Sequence, residues 1–460
     1  MFLALEEQCG FTVCHQISKT CDSDPLCQDL LVNASDLLDG GSSCVFTDIK
    51  EQIHPTAQEF LANLTPEPSC DRDGCLRAYA AMESFLVENG KWAVDEEHKS
   101  FCVKHGGDCV VNKPRRLFSA DALVINDAGN CCQGWSSEGS RGRHAHHSQH
   151  ALLVWVSQRR ELAKRNEEDM FFQECTPQFD IEGCLRTPLS STHEIIDVVT
   201  GPECHGWPCS RPRRLGAGLN LNTLVWVGPK GQDEIQACFD EIFERSCQLT
   251  GCVFLQSPSA ESQQWFADKM KQRGNYAVDA HAAPARFKGG KCLGKVLTSG
   301  QFQRYSKYKK QKHALMALDG TFFCDVDHWP DSPGPTPGPL LPTLLRHGTI
   351  LELESGRVVM ASERWLSLGF NVFEDLMCAE VGFERYLWPQ RKVVLGLPER
   401  AQHSLSGNSQ SLPAIMAWFL FVFCNTIRRD PGKLLREPAL EAEDVSDADS
   451  NVTLKYRPAH

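Results

Sequence analysis

Apolar residues over the first fifty positions fall in short clusters separated by polar turns. Residues 11–17 and 43–46 read as strands, the second ending at Asp48, and residues 1–9 and 24–31 read as helices. This alternation is the rhythm of a doubly wound α/β sheet. It returns after Asp121. The apolar run 122–125 predicts a buried strand, and 127–136 a loop rich in Gly, Asn and Ser. Residues 150–162 predict a helix, and 170–172 a buried strand ending at Gln173 and Glu174. Residues 223–227 are strand-like. The apolar run 412–424, with Pro413 near its start, is shorter than the roughly 20 residues that span a bilayer and predicts a buried helix.

The pattern weakens between these stretches. Residues 50–120 are polar and read as an irregular insertion. Residues 229–345 are mixed, rich in turn residues, and close on the Pro/Gly-rich segment 330–342, so they read as a second unit ending in a linker. The expected organisation is a first part at 1–228, this unit at 229–345, a returning part at 346–430, and an acidic disordered tail at 431–460.

Charge and cysteine content narrow the chemistry. A formal net charge of −12 opposes a polyanion, so contact with nucleic acid requires local basic patches. Arg211, Arg213 and Arg214 form one candidate. Arg304, Lys307, Lys309, Lys310 and Lys312, interleaved with Tyr305 and Tyr308, form another. A charge run alone is more often a solvated face. Residues 1–10 contain acids and no apolar signal core, so the 22 cysteines read as reduced thiols, metal ligands or a reactive thiol rather than as a disulfide framework. Cys70, Cys75, Cys102, His105 and Cys109 resemble a zinc site only loosely in their spacing. Scattered reduced thiols are the favoured reading, and no metal ligand is assigned.

Cys132 lies on a glycine-flanked loop after one expected strand, and Glu174 ends the next. Ligands of α/β sheets bind outside the carboxyl ends of strands, where a thiol and a carboxyl can act as nucleophile and proton donor. Alone, each is more often a structural thiol or a solvated carboxylate. Their ordered company says more. Gly129-Asn-Cys-Cys132-Gln133-Gly134-Trp135-Ser136 is followed by Glu174-Cys175-Thr176 and by Gly206-Trp-Pro208-Cys209-Ser-Arg211-Pro-Arg213. Then come Glu363 with Leu368-Gly369-Phe370, and Gly407-Asn408-Ser409 with Pro413.

This series resembles the C-5 cytosine-specific methyltransferase family, whose corresponding motifs read Gly-Pro-Pro-Cys-Gln-Gly-Phe-Ser, Glu-Asn-Val, Gln-x-Arg-x-Arg, Glu with Gly-Phe, and Gly-Asn-Ser. The resemblance covers most of residues 11–425. It implies a Rossmann-like methyltransferase sheet with a smaller mixed target-recognition domain at 229–345. It implies transfer of methyl from S-adenosyl-L-methionine to carbon 5 of cytosine in DNA through a covalent adduct on Cys132. Glu174 then stabilises the ring nitrogen, Arg213 binds the ring carbonyl oxygen and Arg211 holds the site. Asp22 is similar to the acid on the cofactor ribose, and Asp48 and Ile49 to the residues at the adenine. Asn408 and Ser409 join the cofactor side, and Arg304, Lys307, Lys309, Lys310 and Lys312 the phosphates. As isolated residues, Asp22 and Asp48 read as turn or helix-capping acids. The segment 141–150, rich in His and Arg, resembles the loop over a flipped base.

The chain departs from the family in three ways. It opens at what resembles the helix after the family's Phe-x-Gly-x-Gly loop, so it reads as an N-terminally truncated member. Cys131 stands in place of proline, and Cys175-Thr176 and Cys209 replace Asn-Val and Gln. The partner implied is DNA, with RNA the variant within the family and no membrane. The location implied is intracellular and, from the DNA substrate, nuclear. The competing expectation is a weak or inactive relative that binds nucleic acid without methylating it.

Overall fold

The computed structural model describes residues 16–38, 43–113, 122–129, 132–136, 139–274, 293–311, 320–332, 335–374 and 388–429. The expected helix at 1–9, most of the 11–17 strand, Cys131, Lys312 and the acidic tail lie outside them.

The first sheet begins with β1 (Lys19–Cys21) and β2 (Cys44–Phe46), parallel and joined by α1 (Pro25–Leu38). β1 falls where the sequence predicted no strand. Lys19-Thr20-Cys21 carries no apolar signal, and pairing with the buried β2 defines it. The segment expected to be irregular holds two helices, α2 (Pro55–Leu64) and α3 (Arg72–Glu88). Pro55 opens α2, and Asp71 caps α3 by accepting from the Gly74 N–H at 2.7 Å. Ile53, Ala57, Leu61, Tyr79, Met82 and Leu86 are buried together against Val154. Only this narrow stripe is apolar, which is why the segment looks polar in sequence. β3 (Lys99–Cys102) and β4 (Gly107–Val110) form an antiparallel hairpin, and β3 pairs with β2, giving the order β1-β2-β3-β4.

The second sheet contains β5 (Ile125–Gly129), β6 (Met170–Cys175), β7 (His193–Thr200) and β8 (Arg213–Asn220), in the order β5-β6-β8-β7. β5 and β6 are parallel, with α4 (Gln149–Lys164) between them in sequence, and β8 runs antiparallel to both its neighbours. This is the α/β, Rossmann-like class expected from the sequence. β5 starts three residues later than the apolar run 122–125 suggested, because main-chain pairing with β6 carries it through polar Asn126 and Asp127 to Gly129. β8 has no strand-like pattern because Gly216 and Gly218 interrupt it. A Cβ at Gly218 would fall 2.1 Å from the Phe171 ring, so the glycine permits close packing.

β9 (Leu224–Trp226) and α5 (Gln232–Phe243) follow. α5, expected within the second unit, buries Ile235 and Phe239 against the second sheet. The second unit's own core combines α6 (Ser259–Gln272), α7 (Ser299–Gln311), β10 (Phe323–Asp325), β11 (Ile350–Glu352) and β12 (Arg357–Val358). β11 and β12 lie beyond the expected boundary at 345, yet they complete this three-stranded sheet.

The chain then returns through α8 (Ala361–Ser367) and α9 (Glu399–Asn408) to α10 (Leu412–Cys424) and β13 (Thr426–Arg428), which pairs with β9. α10 has the bounds expected from its apolar run. It lies on the second sheet, where Phe419 meets Phe172 edge-on at 3.8 Å and Trp418 Nε1 donates to the Gly216 carbonyl at 3.3 Å. Among the described residues no helix is long and apolar enough to cross a membrane.

Candidate active site at the ends of β5 and β6

The parallel register sets Gly129 opposite Glu174. The chain leaving β5 therefore turns beside Glu174. Cys132 opens a 3-10 turn and is half-buried, and its carbonyl accepts from the N–H groups of Trp135 at 3.0 Å and Ser136 at 2.7 Å. Trp135 fixes this turn. It is buried, and it meets Phe179 at 5.4 Å and His144 at 4.9 Å edge-on. His144 Nε2 in turn lies 2.9 Å from Asp180 Oδ2. The His- and Arg-rich segment is thus tied to the cysteine turn through His144. Arg141 and Arg143 adopt left-handed backbone there, with φ of 53° and 51°, a costly conformation for residues bearing a Cβ.

Glu174 pairs with Arg213, Oε1 to Nε 2.6 Å, and both side chains are largely buried. The antiparallel ladder explains the pairing. Glu174 is opposite Leu215, so Arg213, two positions along β8, projects from the same face as the diagonal neighbour. Arg211 is fully buried and donates to the carbonyls of Leu344 (3.2 Å), Gly407 (3.0 Å) and Ser409 (2.5 Å). Burial, followed by Arg213, pushes its pKa down to about 9, while Glu174 and Cys132 act in the opposite sense. Cys132, Glu174, Arg211 and Arg213 therefore share one electrostatic neighbourhood.

Gly407 is the only residue type its contact admits. A Cβ there would meet Arg346 N at 2.6 Å and Leu345 C at 2.8 Å. Glu203, which the sequence reading missed, holds the arginine loop. It accepts from the Arg211 N–H at 3.1 Å and from Ser210 Oγ at 3.4 Å. An acid eight positions before its partner leaves no periodic signal. Cys209 is fully buried, which pushes its thiol up to about 12 and leaves it chemically inert.

The expected arginine patch is not an open basic surface. Arg211 faces carbonyls, Arg213 faces Glu174, and Arg214 faces Asp197 at 2.5 Å and the Pro177 carbonyl at 3.2 Å. On α7, Tyr305 and Tyr308 turn into the core. Arg304 donates to the Val326 carbonyl at 2.5 Å and Lys307 pairs with Asp331, and both cations lie over Trp329 at about 5.5 Å. Lys309 and Lys310 are exposed.

Asp22 and Asp48 follow the carboxyl ends of the parallel strands β1 and β2, and the Asp22 N–H donates to the Phe46 carbonyl at 3.3 Å. Asp22 accepts from the Asp24 N–H at 2.8 Å, and Asp48 caps a 3-10 turn through the Lys50 N–H at 2.9 Å. Two acids side by side at one sheet end match the acceptors that a ribose and an adenine amine require. Lys19, on β1, is buried, which with the nearby Arg159 pushes its ammonium down to about 8. Ile49 packs between α3, α4 and the Cys132 turn's core. Asn408 ends α9. Ser409 presents its carbonyl to Arg211. A small crevice lined by Asp127, Phe172, Gln173, Glu174, Trp418 and Phe419 opens beside Glu174.

No family model and no curated protein matches the chain. Among solved structures it is similar to a mutant of Spodoptera frugiperda DNMT2, with 10% identity over 92% of this chain and 96% of that chain, at a TM-score of 0.39. It is also similar to the S. pombe Dnmt2 methyltransferase, at 11% identity, 89% and 90% coverage and a TM-score of 0.38. A third likeness is to a putative DNA modification methyltransferase encoded within a prophage of E. coli, at 12% identity, 89% and 92% coverage and a TM-score of 0.35. Likenesses of this size leave the function to be argued from the chain's own residues.

Proposed function

We propose that the chain belongs to the C-5 cytosine methyltransferase family and transfers methyl from S-adenosyl-L-methionine to carbon 5 of cytosine in DNA. The observation that carries this reading is the Glu174–Arg213 pair beside the Cys132 turn, with Arg211 buried behind it.

Carbon 5 of cytosine is a poor nucleophile until a group adds at carbon 6. Cys132 is half-buried within electrostatic reach of the buried Arg211 guanidinium, whose charge favours a thiolate. Its sulfur adds to carbon 6. Glu174 holds the proton at the ring nitrogen as charge develops there. Arg213, oriented by its bond to Glu174, serves the ring carbonyl oxygen. Arg211 acts at one remove by fixing the turn at 407–409. S-adenosylmethionine, when bound, would supply the methyl group and leave as S-adenosylhomocysteine, with Asp22 and Asp48 as the acceptors for its ribose and adenine. Loss of the carbon 5 proton to solvent then expels the Cys132 thiolate from carbon 6 and restores the ring. The target base would leave the duplex to reach Cys132, and the segment at 141–150, tied to the Cys132 turn through His144, would close over it.

The test is transfer of labelled methyl to a cytosine-containing duplex by wild type, Cys132→Ala and Glu174→Gln. Incorporation by wild type and none by Cys132→Ala supports the reading. Salt-sensitive DNA binding without incorporation by wild type points instead to a non-methylating nucleic-acid-binding relative.

A further inference from the structure

Away from the Cys132 turn, the first sheet gathers Cys44, Cys102, His105 and Cys109, whose donor atoms all lie within 4.8 Å of one another. His105 Nδ1 is 3.3 Å from Cys102 Sγ, 3.3 Å from Cys109 Sγ and 3.8 Å from Cys44 Sγ. A tetrahedral zinc ion bound at about 2.3 Å to sulfur and about 2.0–2.1 Å to nitrogen requires sulfur–nitrogen edges of roughly 3.6 Å. The observed edges bracket that value. We propose that these four side chains form a structural Cys3His zinc site that clamps the β3–β4 hairpin to β2.

The fold prepares the site. Cys44 opens β2, Cys102 ends β3, His105 lies in the hairpin turn and Cys109 lies on β4. Gly106, at φ +61°, supplies the left-handed step that brings the chain back from His105. Cys102 Sγ accepts from the Val45 N–H at 3.3 Å, a bond that stabilises a metal-bound thiolate. Cys44 and Cys102 are buried, and among the described residues the cluster's other apolar members are Phe46 and Val111. So small a core gains from a metal what it lacks in burial. Three thiolates and one imidazole in tetrahedral array select zinc over harder cations, and four protein ligands leave no open position for catalysis.

Sequence spacing grouped Cys70 and Cys75 with this hairpin. Instead they sit together at the start of α3, where Cys75 Sγ donates to the Cys70 carbonyl at 3.9 Å. The fourth donor is Cys44, 61 residues before His105 and recruited by strand pairing.

The test is elemental analysis and cobalt substitution of the untagged full chain. The site predicts about one zinc per chain, unchanged by Cys70→Ser and lost in Cys109→Ser. Cobalt in its place gives tetrahedral visible bands with thiolate-to-cobalt charge transfer. His105→Cys, which keeps four soft donors, retains the metal with shifted cobalt bands even if Cys109→Ser fails to fold. Wild type that takes up no zinc after folding in its presence, zinc retained at full stoichiometry by soluble Cys109→Ser, or an octahedral cobalt spectrum would each overturn the assignment. None of these outcomes depends on methyl transfer.

Discussion

The two sheets position their candidate functional groups by opposite means. In the second sheet, strands of five to eight residues set Glu174, Arg213 and the Cys132 turn by ladder register, and a buried ion pair locks the side chains. In the first, strands of three and four residues place Asp22 and Asp48 only at strand exits, where local turn and capping bonds hold them. Reacting groups held by register are oriented before substrate arrives, as catalysis requires. Acids held by their own turns can accept hydrogen bonds, a role that tolerates more variation.

The comparison predicts unequal responses to matched substitutions. Glu174→Gln should lower the methyl-transfer rate by about 10²–10⁴-fold, the range for loss of a positioned acid–base group. Asp22→Asn should raise the cofactor KM and largely spare kcat. Steady-state kinetics with DNA saturating checks both, and equal losses of kcat would erase the distinction.

Arg211→Ala should cost about 3 kcal/mol or more in denaturant unfolding, since it leaves the carbonyls of Leu344, Gly407 and Ser409 without their donor. Arg211→Lys should recover little of that loss, because a single ammonium lacks the fork that reaches Leu344 from Nη1 and Gly407 and Ser409 from Nη2. A near-neutral Arg211→Ala would remove the anchor from the account.

Acid should weaken the second sheet through His193, which is buried beside Phe171 at 5.1 Å. Burial, then Arg159, pushes its pKa from 6.5 down to about 3. The unfolded chain thus binds the proton first, so the contribution is fully present above pH 6.5 and is lost as pH falls toward 3. The slope is about 1.4 kcal/mol per pH unit. Melts of His193→Gln across that range should show a shallower dependence than wild type.

The smallest effect concerns the exposed lysines. Lys309→Ala and Lys310→Ala should each reduce the salt dependence of DNA binding by about one unit of slope. Lys307→Ala, which removes a cation already paired with Asp331, should change it less.

What was legible in the sequence follows the same division. The β5 and β6 region, α4 and α10 carry apolar runs, and the Cys132 and Glu174 motifs sit on them, so their neighbourhood could be read directly. β1 could not be placed, because Lys19-Thr20-Cys21 becomes a strand only by pairing. The helices within 50–120 were hidden because each buries a narrow stripe. β8 was hidden by glycines whose purpose, clearance for Phe171 in the case of Gly218, exists only in three dimensions. Cys44 could not be joined to Cys102, His105 and Cys109 by spacing, nor Glu203 to Arg211. The tyrosines on α7 are interleaved with basic residues in sequence and are core in the fold, since a helix separates the two kinds of residue onto different faces.

The central claim is that Cys132 adds covalently to cytosine. It is tested most directly by incubating the protein with S-adenosylmethionine and a duplex containing 5-fluorocytosine, then resolving the products under denaturing conditions and mapping the modified peptide by mass. The account predicts a stable protein–DNA adduct on Cys132 that Cys132→Ala abolishes. An adduct on another cysteine, or none from protein that methylates unmodified DNA, would contradict it.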